Sequence, residues 1–143
     1  VRSGKTLCMS LGFVLWAAAS FDGADFAICG KTITSLKRNV IVPLIRTVKS
    51  LGFNCIEKPS ANYVDISLDG IGCNRFYFFG GKDESSASLI QGMTLSGVLL
   101  DEVALMPRSF VEQAIARCSV AGSKLWFNCN PENPAHWFYR EWR

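Results

Sequence analysis

Long apolar blocks alternate with short polar breaks along the chain, and the spacing inside each block predicts its element. Lys5 to Ala19 is apolar on most sides, which predicts a buried helix. "DFAICGKT", Asp25 to Thr32, predicts a short buried strand. From Ser35 to Gly52 the residues Leu36, Val40, Leu44 and Val48 recur at helical spacing, and Gly52 suits a helix stop. Pro43 falls inside that pattern and predicts a bend or a late start. "NYVDISLDG" and "NRFYFFGG" are rich in strand formers and separated by glycine-containing turns, the pattern of a hairpin. "KDESSASLIQG" turns from polar to apolar and predicts a loop leading into a short helix. "SGVLLDEVAL" predicts a buried strand ending in acids.

"PRSFVEQAIARCS" places Pro107, Phe110, Val111, Ala114, Ile115 and Cys118 on one helical face. Pro107 suits the first turn of that helix, and Ser109 with Glu112 offers a competing capping box. "SKLWFNCNP" predicts a last strand and "AHWFYREWR" an amphipathic helix. There are no repeats, low-complexity segments or linkers. Strands alternating with helices imply an α/β fold with a mostly parallel sheet.

Composition narrows the class. The 143 residues are 49% hydrophobic and 19% charged, enough for one globular domain with its own core. A net charge of +3 permits contact with nucleic acid without arguing for it. The longest apolar stretch, "LGFVLWAAASF", is shorter than the ~20 residues a bilayer span needs, and no basic segment of signal-peptide type precedes it. No membrane association is expected. The six cysteines form no Cys-x-x-Cys pair, which disfavours zinc. Several sit in apolar runs and read as reduced, buried thiols.

Three stretches carry candidate chemistry. The chain opens "VRSGKT", and Gly4, Lys5 and Thr6 supply the last three fixed positions of the phosphate-loop pattern G-x-x-x-x-G-K-[ST]. The first Gly of the pattern falls two places before Val1, so the chain is expected to be a piece of a longer one. In such a loop backbone N–H groups and a helix N-terminus hold phosphates, Lys5 reaches the β- and γ-phosphates, and the Thr6 hydroxyl ligates Mg²⁺. Ser3 and Arg2 lie inside the same loop, and Arg2 is a candidate for the γ-phosphate. A helix that merely begins Gly-Lys-Thr would read the same.

The second stretch is "GVLLDEVAL". An acid ending a buried strand is costly unless it has a task. In phosphate-loop ATPases an Asp here holds Mg²⁺, which suits Asp101, and a Glu after it polarises the attacking water, which suits Glu102. Thr6 and Asp101 are therefore expected at one cleft. Taken alone, this string is most often a solvated strand end. The third stretch is "FNCNPENPAHW", in which Asn130 is a candidate to hydrogen-bond the attacking water or the γ-phosphate, against the plain reading of an Asn-Pro turn. His136 reads as a packed or turn residue and Lys37 and Arg38 as a solvated face. Trp16, Trp126, Trp137 and Trp142 read as core or interface residues.

Together, "VRSGKT", "GGKDESSASLIQGMTLSGVLLDEVALMP" and "WFNCNPENPAHWFYREW" resemble the large terminase subunit of tailed bacteriophages and prophages, most of all the branch of defective Bacillus prophages. The resemblance covers nearly the whole chain. It implies an N-terminal ATPase domain, residues 1–143, of the additional-strand, catalytic-glutamate class of phosphate-loop NTPases, truncated at its N-terminal strand. It also implies ATP and Mg²⁺ as cofactors and a motor that pumps viral DNA into a procapsid.

Double-stranded viral DNA, a portal protein, a small terminase subunit and further copies in a ring are the implied partners, in the bacterial host cytoplasm. The family's nuclease domain maps to nothing in this chain. Asn128 to Pro131 match the segment that couples hydrolysis to movement, and the arginine that stabilises the transition state is either Arg2 or one from a neighbouring subunit. The rival readings are another nucleic-acid ATPase of helicase type and an inactive prophage remnant. With the loop's first Gly absent from this sequence, the chain as it stands is expected to bind ATP weakly. Titration with a fluorescent ATP analogue, beside a version extended upstream by about 30 residues, checks this; equal tight binding by both would refute it.

Overall fold

The computed structural model describes residues 2–128, without the side chains of Arg2, Ser3 and Ala104. The helix expected from "AHWFYREWR" lies outside the described residues, as do Asn130, His136, Trp137 and Trp142. The order is α1 (Arg2–Ser20), β1 (Asp25–Gly30), α2 (Ile33–Leu36), a π-helical segment (Lys37–Ile41), α3 (Val42–Ser50), β2 (Asn54–Lys58), β3 (Tyr63–Leu68), β4 (Gly72–Gly80), α4 (Glu84–Ile90), β5 (Gly97–Leu100), α5 (Arg108–Ala116) and β6 (Lys124–Phe127). The strands form one sheet in the order β2-β3-β4-β1-β5-β6. β4, β1, β5 and β6 run parallel, and the β2-β3-β4 meander is antiparallel. The expected mostly parallel α/β sheet is present, with an antiparallel flank.

Strand alternation divides the core in two. Phe26 and Ile28 of β1 face a layer built by α1, the π segment and α3, with Phe13, Val40, Leu44 and Val48 in it. Ala27 and Cys29 face the other layer, with Ile90 of α4 and Phe110, Val111 and Ala114 of α5. β5 is buried along its whole length because helices cover both faces of the sheet there.

Pro43 does not break its helix. Lys37–Ile41 winds as a π turn, and the Val42 N–H donates to the Lys37 carbonyl, five residues back. The wider turn immediately before Pro43 absorbs the steric demand of its ring, and the rod continues to Ser50. Gly52 ends it with φ +99°, a conformation that suits glycine.

Two local expectations are corrected. Ser109 and Glu112 form no capping box: Pro107 is the N-cap of α5 and carries no side-chain cap bond, while Glu112 accepts from Arg108 Nε at 3.0 Å one turn away. The cysteines are not uniformly buried: Cys8 and Cys73 are exposed and Cys29 is buried, and all five within the described residues are free thiols. Burial raises the Cys29 thiol well above its ordinary range and pushes Cys118 up to about 11, so both stay protonated at neutral pH. Strand β2 is an addition to the sequence reading; it is a mostly exposed edge strand with Ile56 outward, so alternation gave no signal. Among the described residues no helix is long and apolar enough to cross a membrane.

α1 is fixed to the sheet by aromatic packing and by one buried amide. Phe13 meets Phe26, Phe76 and Trp126 edge-on, and Phe26 stacks on Phe76 with centroids 5.0 Å apart. Asn74 of β4, 3% exposed, donates from Nδ2 to the carbonyls of Ala17 (3.2 Å) and Phe21 (3.0 Å) and accepts the Ala24 N–H at 3.0 Å. It thereby satisfies the last carbonyls of α1 and the entry to β1 together. Asn74→Leu would leave the Phe21 carbonyl and the Ala24 N–H without this partner, while the Ala17 carbonyl keeps the Phe21 N–H, at a cost of about 3 kcal/mol; a fall in melting temperature on the order of 10 °C is expected by circular dichroism. Gly97→Ala would place a Cβ 2.7 Å from Trp16 Cζ3 and 3.0 Å from Phe26 Cδ2. Because both rings are already packed, this overpacking is expected to destabilise by about 1–3 kcal/mol in urea unfolding.

Candidate active site

The parallel strands bury their apolar residues together and end together. β5 stops at Leu100, opposite Cys29 of β1 and Phe127 of β6. The next residues along the chain, Asp101 and Glu102, are the first that reach solvent, and both are half-buried. Asp101 still belongs to the ladder through its backbone, since its N–H donates to the Cys29 carbonyl at 2.8 Å. Glu102 leaves it, with φ 54° and ψ 55° in the left-handed region. A non-glycine residue held there costs about 1–3 kcal/mol and persists only where its surroundings fix it.

What fixes it is Asn128, the residue that follows β6. Its Nδ2 donates to Asp101 Oδ1 at 2.9 Å, and its Oδ1 accepts the Glu102 N–H at 2.6 Å. Its backbone completes the clamp: the Asn128 N–H donates to the Leu100 carbonyl at 3.2 Å and its carbonyl accepts the Val103 N–H at 3.2 Å. One asparagine thus spans both acids and both ends of the turn that carries them.

The phosphate-loop residues approach the same edge from α1. The Trp16 ring covers Gly97, at the start of β5, and Gly12 faces the Trp126 ring, level with Leu99. Four residues of helix (~6 Å) therefore match two residues of strand (~6.6 Å), with the helix running against the strands. Continuing six residues back from Gly12 to Thr6 adds ~9 Å, and two residues forward from Leu99 to Asp101 adds ~6.6 Å. Thr6 accordingly stands within about 3 Å of the height of Asp101 along the strand direction, and Arg2 to Lys5 continue past the carboxyl edge of the sheet. Thr6 is half-buried, and Gly4 and Lys5 are exposed. Arg2 and Ser3 belong to the same turn.

Asn130 lies outside the described residues. Lys37 is half-buried and Arg38 exposed, both on the π segment. A groove of about 760 Å³ runs between α4 and α5, lined in part by Lys82, Gln91, Glu112 and Arg117; Asp101, Glu102 and Thr6 do not line it.

Asn128 enters the sequence reading only through the resemblance, as the start of the segment Asn128 to Pro131, while local chemistry singles out Asn130. The signal that would have found it is positional: it ends a strand adjacent to the acid-bearing one, and so must stand beside the acids.

The comparisons bear on this arrangement. The family model for the terminase large subunit of T4likevirus type, N-terminal, matches residues 1–143. The large terminase of a thermophilic bacteriophage is 56% identical in one crystal form, with a TM-score of 0.94 over 99% of this chain and 35% of that one. The same phage's large terminase in complex with ATP-gamma-S is 51% identical, with a TM-score of 0.89 over 99% of this chain and 34% of that one. The ATPase domain of the large terminase from Thermus phage P74-26 shares the fold at 16% identity, with a TM-score of 0.66 over 91% of this chain and 56% of that one. No curated protein sequence matches. The chain spans about a third of the length of its thermophilic phage relatives. The chain belongs to the terminase large subunit family, matching its N-terminal part.

Proposed function

We propose that this chain is the ATPase motor segment of a phage terminase, coupling ATP hydrolysis to the packaging of viral DNA. The observation that carries the reading is the Asp101–Glu102 pair, tied together by Asn128 at the carboxyl edge where α1 also begins. A relative 51% identical is described in complex with ADP, and the same protein in complex with ATP-gamma-S, which supports nucleotide as the ligand.

Each residue has a role set by its chemistry. The first turn of α1 offers backbone N–H groups and a positive dipole end to phosphate, and Lys5 adds a cation there. Arg2, in the same turn, is placed by sequence to neutralise charge on the γ-phosphate, with a neighbouring subunit as the other source of that arginine. Asp101 and Thr6 are the oxygen donors that would hold Mg²⁺. Among the described residues no three acid, His or Cys side chains cluster. A carboxylate and a hydroxyl suffice, because this ion takes most of its remaining ligands from water and phosphate. Bound there, Mg²⁺ would offset charge on the β- and γ-phosphates.

Glu102 orients a water in line with the γ-phosphate and accepts its proton. The new bond forms from the water oxygen to the γ-phosphorus, the bond from that phosphorus to the bridging oxygen breaks, and ADP leaves. Asn130 would contact that water or the γ-phosphate. Double-stranded viral DNA is the substrate moved, with a portal protein, a small terminase subunit and further copies of the subunit as partners. The host cytoplasm is where these meet.

The test uses the full-length protein. Glu102→Gln keeps the shape and removes the base, so turnover is expected to fall about 100-fold or more while nucleotide affinity holds. Lys5→Ala is expected to weaken both. Steady-state hydrolysis and binding of a fluorescent nucleotide separate the two effects, and a Glu102→Gln protein turning over at the unaltered rate would sink the assignment.

A further inference from the structure

We propose that Asn128 is a positioning residue for hydrolysis, which sets the geometry of the Asp101–Glu102 pair through a bifunctional side-chain amide. The inference rests on the reading of that pair given above. It adds that the pair is not self-orienting.

Two adjacent acids on a regular strand would point to opposite faces of the sheet. Serving one site requires the chain to leave strand geometry between them, and it does so at Glu102, whose φ is 54°. Such a conformation returns to an ordinary one unless something holds it. Turns of this kind are commonly held by glycine, and position 102 is a glutamate.

The Asn128 amide supplies the hold from both of its ends. Its oxygen takes the Glu102 N–H at 2.6 Å, which fixes the peptide between the two acids. Its NH₂ group donates to Asp101 Oδ1 at 2.9 Å, which fixes one carboxylate oxygen. Only a group carrying a donor and an acceptor at this spacing does both. An Asp has the shape and the acceptor but no donor when ionised, and it would set a second negative charge against Asp101. A Leu has the volume and neither function. A Thr carries donor and acceptor on one atom and can serve both partners less well.

The amide is also rigidly placed. The backbone of Asn128 is bonded to Leu100 and to Val103, the residues on either side of the acid pair. Displacement of β6 relative to β5 would therefore be transmitted to Glu102 through the side chain and the main chain at once. A misplacement of about 1 Å at a reacting group is enough to cost on the order of 100-fold in rate.

The experiment compares Asn128→Thr, Asn128→Asp and Asn128→Leu with the unaltered full-length protein, with Glu102→Gln as control. Steady-state hydrolysis gives kcat and KM, a fluorescent ADP analogue gives affinity, and melting temperature reports folding. The expected result is a kcat lowered about 100-fold in the Asp and Leu variants and about 10-fold in Thr. KM and ADP affinity are expected to stay within about threefold of the parent. Unchanged kcat in the Asp and Leu variants, beside an inactive Glu102→Gln, overturns this inference and leaves the acid pair standing. Losses of kcat, ADP affinity and melting temperature in proportion overturn it too, because they describe a merely structural residue. A fully active Glu102→Gln overturns the reading beneath it.

Discussion

A strand with helices on both faces can place no charge along its length. β5 is in that position: Gly97, Val98, Leu99 and Leu100 are all buried, and Gly97 lacks a side chain because Trp16 and Phe26 already occupy the space. The first residue able to carry a charge is the one where the helical cover ends. Parallel strands end their cover on the same side, so the acids of β5, the Asn of β6 and the loop after β1 all emerge at one edge. Site geometry here follows from burial, before any side chain is chosen for chemistry.

The same edge receives the phosphate-loop residues because α1 is locked in height as well as in direction. Aromatic contacts alone would let a helix slide along an apolar sheet, since dispersion is weakly directional. Asn74 removes that freedom, because its three hydrogen bonds to Ala17, Phe21 and Ala24 are satisfied at one height only. It acts at the far end of α1 from Lys5 and Thr6. A 19-residue helix transmits the constraint as a rigid rod. The buried polar network thus sets register where the hydrophobic core supplies only attraction.

Much of this was legible in the sequence because the informative residues lie in long periodic blocks. Leu36, Val40, Leu44 and Val48 recur at helical spacing and are all buried, even though the winding widens to a π turn ahead of Pro43. A wider turn preserves the buried stripe while changing the winding, so periodicity found the helix and was blind to its irregularity. β2 escaped for the opposite reason: as an edge strand it buries little, and its Asn-Cys-Ile-Glu-Lys carries no alternation to detect. The hairpin of β3 and β4 was found because Val64, Ile66, Phe76 and Phe78 alternate with solvent-facing partners. The Ser109–Glu112 capping pattern misled because Arg108 competes for the same carboxylate one turn away.

The candidate site was legible one residue at a time and not as a unit. Asp101 and Glu102 stand out locally, since acids after four buried residues need a reason to be there. Asn128 does not stand out, because an Asn after an apolar strand is an ordinary turn former. Its meaning comes from the strand order, which puts β6 beside β5 although 23 residues separate Leu100 from Lys124. Sequence spacing carries no record of that neighbourhood. The left-handed turn at Glu102 is equally silent, since nothing in "LLDEVA" announces a positive φ. Both features come from the sheet: the ladder brings Asn128 level with the acids, and the amide then stabilises a backbone conformation that Glu102 would not adopt alone. A strand end becomes a candidate catalytic pair only when its neighbour supplies the geometry that its own sequence cannot.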